Sequence, residues 1–408
     1  MKKLLLVAPL QSVSGYGTVS RGLYNILKSL EKQNLITFDV LILKWGNLSE
    51  VRHLDGEFSK KIKDRYDTEY DLAIMCSSPY DFRYYNTIFR AKHVLHFNAM
   101  VESKPFHPQL FSQIVQFMIQ NPNYHVVVPM KHLSNIFEES LSYINLPDFY
   151  KAAVMSRVHV VPNPTDEIIQ TNLSQKDRTK NMQIIDDVFN LQKKKFDKVF
   201  AAFAPLGVER KNLKLLVEVF AKTGFPIVIF TGGINSFMLF DLQKNVYNNY
   251  IKLEINSRFL PENIKLVVGS FLPKEVNYIF RKADAFVNLS AGESWDYTLQ
   301  NALIFGKPAV FVDFFERDYI TRDYKDMFSV NYELKPAGYV FKMTNPNHPF
   351  FHPNAQVADV NFSDAVIKTS FCFENYDIAK EMAEKESQKV DKDKEIFNFL
   401  KETLSLIE

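Results

Sequence analysis

"VVGSFLPKEVNYIFRKADAFVNLSAGESWDYTLQNALIFGKPAVFVD", residues 267–313, is the stretch whose reading decides the fold. Two apolar runs, residues 285–290 and 308–314, flank a segment with helix signals. Ser294 reads as an N-cap, with Trp295, Asp296 and Tyr297 in the first turn. Gly306 reads as the stop, and Pro308 restarts an extended run. The runs are apolar throughout rather than alternating, as expected of parallel strands covered on both faces. Glu293 stands just before the helix. Free N–H groups and the positive dipole end suit a phosphate there, and Glu293 would accept from hydroxyls beside it. The local pattern equally allows a carboxylate that merely helps cap the helix.

The same alternation runs outward in both directions. Upstream, "KLLLVAPL", "FDVLIL", "DLAIM", "HVLHF", "YHVVVP" and "VHVVPN" read as strands of one series. After the polar stretch at residues 164–183, "KVFAAFAP", "PIVIFTG", "IKLVVGS", "AFVNLS", "PAVFVDF" and "GYVFKM" read as a second. Strands alternating with helical segments predict βαβ units and parallel sheets. At 408 residues the chain exceeds one ordinary core, so two α/β domains are expected. Ligands of open α/β sheets bind at the carboxyl ends of strands.

Composition narrows the classes. A net charge of +2 signals neither a nucleic-acid binder nor a membrane-surface protein. The two cysteines, Cys76 and Cys372, form no disulfide framework and fit a reducing, cytoplasmic setting. The apolar start "MKKLLLVAPL" reads as a first buried strand rather than a signal peptide, because it breaks at Pro9 and no small-residue cleavage site follows. No run approaches the ~18 apolar residues of a membrane-spanning helix. Metal ligands are not grouped: "HVLH" and "HPFFH" lack companions, and Asp391-Lys392-Asp393 sits in a lysine-rich helical stretch.

Residues 267–313 resemble the donor-site signature of retaining GT-B glycosyltransferases of family 4. In that signature a glycine turn precedes a helix, Ala-Asp leads a strand, and Glu-x7-Glu is followed by a glycine–proline step. Glu293 falls on the first Glu and Asn301 on the second. Ser294-Trp295-Asp296 replaces the Gly-Phe-Gly of the family. Eight residues of helix would separate a sugar contact at Glu293 from a ribose contact at Asn301 by about 12 Å. A second match is "FAPLGVERKNLKLLVEVF", residues 203–220, which resembles the strand–loop–helix that grips the diphosphate. Lys211 falls on the family Lys. The family Arg would fall at Pro205 or Leu206 and is missing, with Arg210 as a substitute. The third match, "VAPLQSVSGYGTVSRGLYNIL", places Gly15 and Gly17 where the family has a glycine loop near the phosphates. A plain tight turn explains those glycines equally well.

The resemblance implies two facing Rossmann-like doubly wound domains with an inter-domain cleft. The first spans residues 1–165 on the acceptor side, and the second spans residues 166–384 and binds the donor. A C-terminal helix at about 385–408 would pack back on the first domain, and Asn163-Pro164 would begin the hinge. The implied reaction moves a sugar from a nucleotide-sugar, such as a UDP- or GDP-sugar, to an acceptor hydroxyl with retention and without a metal. Lys211, Glu293 and Arg210 would carry the chemistry. Ser294, Trp295, Asp296, Tyr297 and Asn301, with Gly269, Ser270 and Phe271 beside the base, would complete the donor site. His96 and Glu102 would stand on the acceptor side. Glycan, protein or a modified base in DNA are the acceptors in view, and the cytoplasm or the inner face of a membrane the location. A non-catalytic GT-B module that binds a nucleotide or glycan for a partner enzyme is the competing reading.

Overall fold

The apolar runs of each series become the strands of a parallel sheet. The computed structural model describes residues 1–10, 12, 15–43, 60–62, 69–77, 81–82, 85, 87–97, 104–106, 108–165, 178–205, 208–231, 260–269, 271–314, 316–341, 354–390 and 392–406. Glu102, Ser270 and Asp391 lie outside the described residues. Two structural units emerge. One comprises Met1–Glu167, Pro336–Gln356 and Asp391–Glu408; the other comprises Ile168–Lys335 and Val357–Val390. Residues 336–356, expected in the second domain, therefore belong with the first.

The first unit begins β1 (Lys2–Ala8), α1 (Gly15–Lys32), β2 (Ile36–Ile42), β3 (Glu69–Cys76) and β4 (Arg90–Phe97). It continues with α2 (Pro108–Gln120), β5 (Tyr124–Val128), α3 (Lys131–Ser142), α4 (Asp148–Met155) and β6 (Val158–Val160). Its strands lie in the order β2-β1-β3-β4-β5-β6, all parallel. The order reverses between β1 and β3, so the loops after those two strands flank the switch point.

The second unit runs α5 (Lys180–Lys193), β7 (Phe200–Phe203), α6 (Leu213–Thr223), β8 (Ile227–Thr231), β9 (Ile264–Val268), α7 (Pro273–Lys282), β10 (Ala285–Asn288), α8 (Tyr297–Ile304), β11 (Ala309–Phe311) and α9 (Arg322–Phe328). Its strand order is β11-β10-β7-β8-β9, again parallel. Every residue of β8, β10 and β11 is buried, which is why these strands read as unbroken apolar runs. A short pair follows, β12 (Tyr332–Pro336) and β13 (Gln356–Val360), with α10 (Ala337–Val340) after β12. The expected strand "GYVFKM" is thus corrected: its first residues form α10, because the extended segment before it ends at Pro336. The second unit ends with α11 (Phe362–Glu374) and α12 (Tyr376–Ser387).

The C-terminal helix α13 (Asp393–Leu406) belongs to the first unit and packs on α1, with Ile396 and Leu400 fully buried. Its first residue fastens the chain before the second unit: both Asp393 carboxylate oxygens accept from Thr165, one from the N–H and one from the hydroxyl, each at 2.9 Å.

Gly17 is fixed by a close approach. A Cβ there would stand 1.8 Å from the Ser12 carbonyl oxygen, which Arg21 Nη1 already holds at 2.8 Å. Gly17 therefore serves the packing of the β1–α1 loop on its own helix. Gly17→Ala should cost about 3 kcal/mol in urea unfolding, because backbone rather than a flexible side chain has to move. Gly15→Ala, at the exposed first position of α1, should stay within about 0.5 kcal/mol of the parent. Equal losses at both would contradict the crowding at residue 17.

Candidate functional site

β7 and β10 are neighbours in the sheet, yet the chain visits β8 and β9 between them. The second unit's switch point therefore lies where their following loops meet. Residues 208–212 follow β7. Glu209–Lys211 form one 3-10 turn, closed by Asn212 in the left-handed region at φ 50° and ψ 41°. Asn tolerates that conformation better than most residues. Four hydrogen bonds join this turn to the loop after β10. Asn212 Nδ2 donates to the Leu289 carbonyl at 2.8 Å. The Arg210 carbonyl accepts from the Ala291 N–H at 2.7 Å and the Ser290 hydroxyl at 3.0 Å. Arg210 Nη1 donates to the Gly292 carbonyl at 3.2 Å.

That stitching brings three charged side chains to one point. Lys211 Nζ donates to Glu293 Oε1, and Arg210 Nη1 lies 3.1 Å from the same oxygen. The two cationic side chains keep 17% exposure and Glu293 keeps 10%. Burial by itself would raise the Glu293 carboxyl, but Lys211 and Arg210 outweigh it and hold the value at about 2. Glu293 is thus ionised across the physiological range. Two cations meet one carboxylate at a partly open position, an arrangement that can take another anion in the carboxylate's place. The adjacent side chains of Arg210 and Lys211 thus converge on one oxygen.

The helix after Glu293 starts later than the sequence suggested. The N-cap is Asp296, not Ser294; its Oδ1 accepts from the Leu299 N–H at 3.0 Å and α8 begins at Tyr297. Ser294 and Trp295 belong to the preceding loop. Trp295 faces the packed interior, with Nε1 donating to Gln300 at 2.9 Å and its ring 4.5 Å from Tyr319, so it does not present itself to a ligand. Only residues 297–301 of the Glu293–Asn301 interval are helical, so a straight eight-residue span does not apply. Asn301 is half-buried, while Gly306 at φ +63° ends the helix as read. The Lys307 and Gly306 N–H groups donate back to Ala302 and Leu303, each at 2.8 Å, completing a Schellman stop.

The remaining expected residues are more dispersed. Gly269 follows β9, its N–H on the Thr231 carbonyl at 3.0 Å, and Phe271 packs edge-on against Phe230 at 5.4 Å in the core. In the first unit, His96 is 1% exposed. Its Nε2 lies 3.0 Å from the Ser77 hydroxyl and its Nδ1 contacts the Tyr124 hydroxyl. Burial drives its pKa down to about 4, so His96 is a neutral, satisfied core residue rather than an acceptor contact. Cys76 and Cys372 are free, and burial pushes both thiols up to about 12. Among the described residues no group of three His, Cys, Asp or Glu could hold a metal, and no helix is long and apolar enough to cross a membrane. An open hollow of about 410 Å³ beside β12 and β13 is lined by Lys335, Asp359 and their neighbours and shares no residue with the Lys211–Glu293 cluster.

No family profile matches the sequence, and no curated protein matches it significantly. Solved structures do match, over the whole length. HepE (Alr3699) of Anabaena, in complex with UDP-glucose, aligns at a TM-score of 0.55 with 13% identity, over 99% of this chain and 100% of that one. A glycosyltransferase from Rickettsia africae gives 0.58 at 13% identity, over 100% and 98%. The catalytic domain of starch synthase IV from Arabidopsis thaliana, bound to ADP and acarbose, gives 0.54 at 11% identity, over 99% and 99%. The fold is GT-B. Both parallel sheets with their flanking helices are the Rossmann-like halves of a GT-B chain, and the Lys211–Glu293 cluster belongs to the second of them. Sequence reading missed Asn212, Ser290 and Arg317. A left-handed-prone Asn directly before a helix was the one available signal.

Proposed function

We propose that the chain is a glycosyltransferase whose second unit binds a nucleotide-sugar and which moves the sugar to an acceptor hydroxyl with retention. The observation that carries this reading is the convergence of Lys211 and Arg210 on Glu293 at the sheet's switch point. The GT-B likeness to proteins holding UDP-glucose or ADP supports it, as does the family 4 resemblance of residues 267–313. Lys211 and Arg210 neutralise the departing diphosphate, and the positive dipole end of α8 assists. Glu293 holds both cations before the donor binds and turns to the sugar when the diphosphate takes its place. Asn301 contacts the ribose, and the backbone at residues 269–271 borders the base. Catalysis of this kind is charge stabilisation and positioning, with side chains in place of a metal. The acceptor is a glycan, a protein or a modified base, and the reaction runs in the cytoplasm or at the inner face of a membrane.

A thermal-shift panel of nucleoside diphosphates and their sugars, with and without a strong chelator, tests this. A ligand at ~100 times its dissociation constant stabilises by roughly 2.7 kcal/mol, which is readily seen. The expected result is a shift with one base, preserved in chelator, and chelator-resistant turnover of that sugar. No shift with any nucleotide would overturn the reading; binding without transfer or hydrolysis would favour the non-catalytic module.

A further inference from the structure

Buried charge continues past Glu293 into the body of the second unit. Arg317 is 1% exposed and follows β11. Its Nη1 donates to the Val312 carbonyl at 2.7 Å and lies 3.3 Å from Asp313 Oδ1. Its Nη2 stands 3.6 Å from Asp296 Oδ2, an ion pair beyond hydrogen-bond reach. The guanidinium also covers the Phe311 ring at 5.7 Å. Arg317 Nε and Asp296 Oδ2 have no hydrogen-bond partner, so the pair is held by charge and by its walls rather than by a bidentate fork. Asp313 keeps Lys325 as a second partner at 2.9 Å and does not depend on Arg317 alone.

We propose that Arg317 is a positioning residue for the 292–296 loop: anchored at the end of β11, it keeps Asp296 as the carboxylate that caps α8 and so fixes the loop carrying Glu293. The charged and titratable groups facing Asp296 are Arg317, Glu293 and Tyr319; those facing Arg317 are Asp296, Asp313, Tyr319 and Glu293. Burial holds the Asp296 carboxyl above its ordinary value; Arg317 limits that rise and the Glu293 charge adds to it. Without Arg317 a buried carboxylate beside a second one takes up a proton. A neutral acid is a weaker acceptor for the Leu299 N–H, and the loop then loses its fixed start. The effect on activity rests on the glycosyltransferase reading, whereas the electrostatic coupling does not.

The test compares Arg317→Met, Asp296→Asn and the double variant, since Asn also caps helices well. Unfolding midpoints of the ligand-free proteins are measured from pH 5 to 8. In Arg317→Met the native state binds more protons than the unfolded chain, so its stability should fall as pH rises, relative to the parent. The double variant should show no such slope. UDP affinity should drop about tenfold in Arg317→Met and recover to within about threefold in the double variant. Additive losses, or an Arg317→Met midpoint that tracks the parent across pH, would overturn the proposal. If Arg317→Met does not fold, Arg317→Lys serves: it retains the charge and should retain the parental pH dependence, and a new slope there would count against the idea. Failure of the parent to bind any nucleotide defeats the proposed function and leaves the ligand-free pH comparison to judge Arg317 separately.

Discussion

Lys211→Ala should lower turnover with saturating donor by about 10²- to 10³-fold while the protein stays folded. The magnitude is that of removing one preorganised group from developing negative charge. Lys211 and Arg210 share Glu293 Oε1, so loss of Lys211 still leaves the carboxylate a partner at 3.1 Å. Stability should therefore fall by only about 1 to 2 kcal/mol, because Arg210 still opposes the burial of the carboxylate. On the proposed reading the diphosphate takes both cations, so Arg210 alone should not make up for Lys211 in the reaction. The loss should fall on turnover more than on the Michaelis constant, as for an interaction that strengthens in the transition state. Steady-state kinetics beside a urea melt reads both quantities. Unchanged turnover removes Lys211 from the chemistry, and a collapse of stability assigns it to the fold instead.

What the sequence revealed and what it concealed follow one physical line. β8, β10 and β11 were legible because both faces of each strand are covered, so every position had to be apolar. β12 and β13 were not: "YELKP" and "QVADV" mix charge with apolar residues in a small two-stranded pair. The helix start was misplaced because Ser294 and Asp296 are equally good caps in isolation. Asp296 wins since Trp295 turns inward onto Gln300 and Tyr319, a tertiary choice that places the loop before the helix. Glu293 and Lys211 were each recognisable, yet their pairing spans 82 positions and depends on β7 lying against β10. Arg317 sits in "FERDY", which reads as a solvated charge run. Its burial is decided by β11 and α8 and leaves no local trace.

Glu293→Gln should give an unusual combination: lower stability, tighter UDP binding and slower transfer. Two part-buried cations meet on this carboxylate, and an amide takes away the charge they share. Its carboxyl lies at about 2 instead of the ordinary 4.5, a difference worth about 3 kcal/mol at neutral pH. The sign is that of a depressed group. Its contribution is fully present above the unfolded value and lost as pH falls toward the folded one. The stability gap between parent and Glu293→Gln should hold steady from pH 8 to 5, then shrink to about half by pH 3. UDP brings its own charge to the same cations and no longer has to displace a carboxylate, so its affinity should rise about tenfold. Turnover should nevertheless fall, because the group turned toward the sugar has lost its charge. Denaturant melts at several pH values, UDP calorimetry and initial rates separate these effects. A gap that persists undiminished to pH 3 would mean that the Lys211–Arg210–Glu293 triad is not what holds the carboxyl down. Weaker UDP binding in step with slower turnover would mean that Glu293 is a direct ligand of the nucleotide rather than the ion the diphosphate replaces.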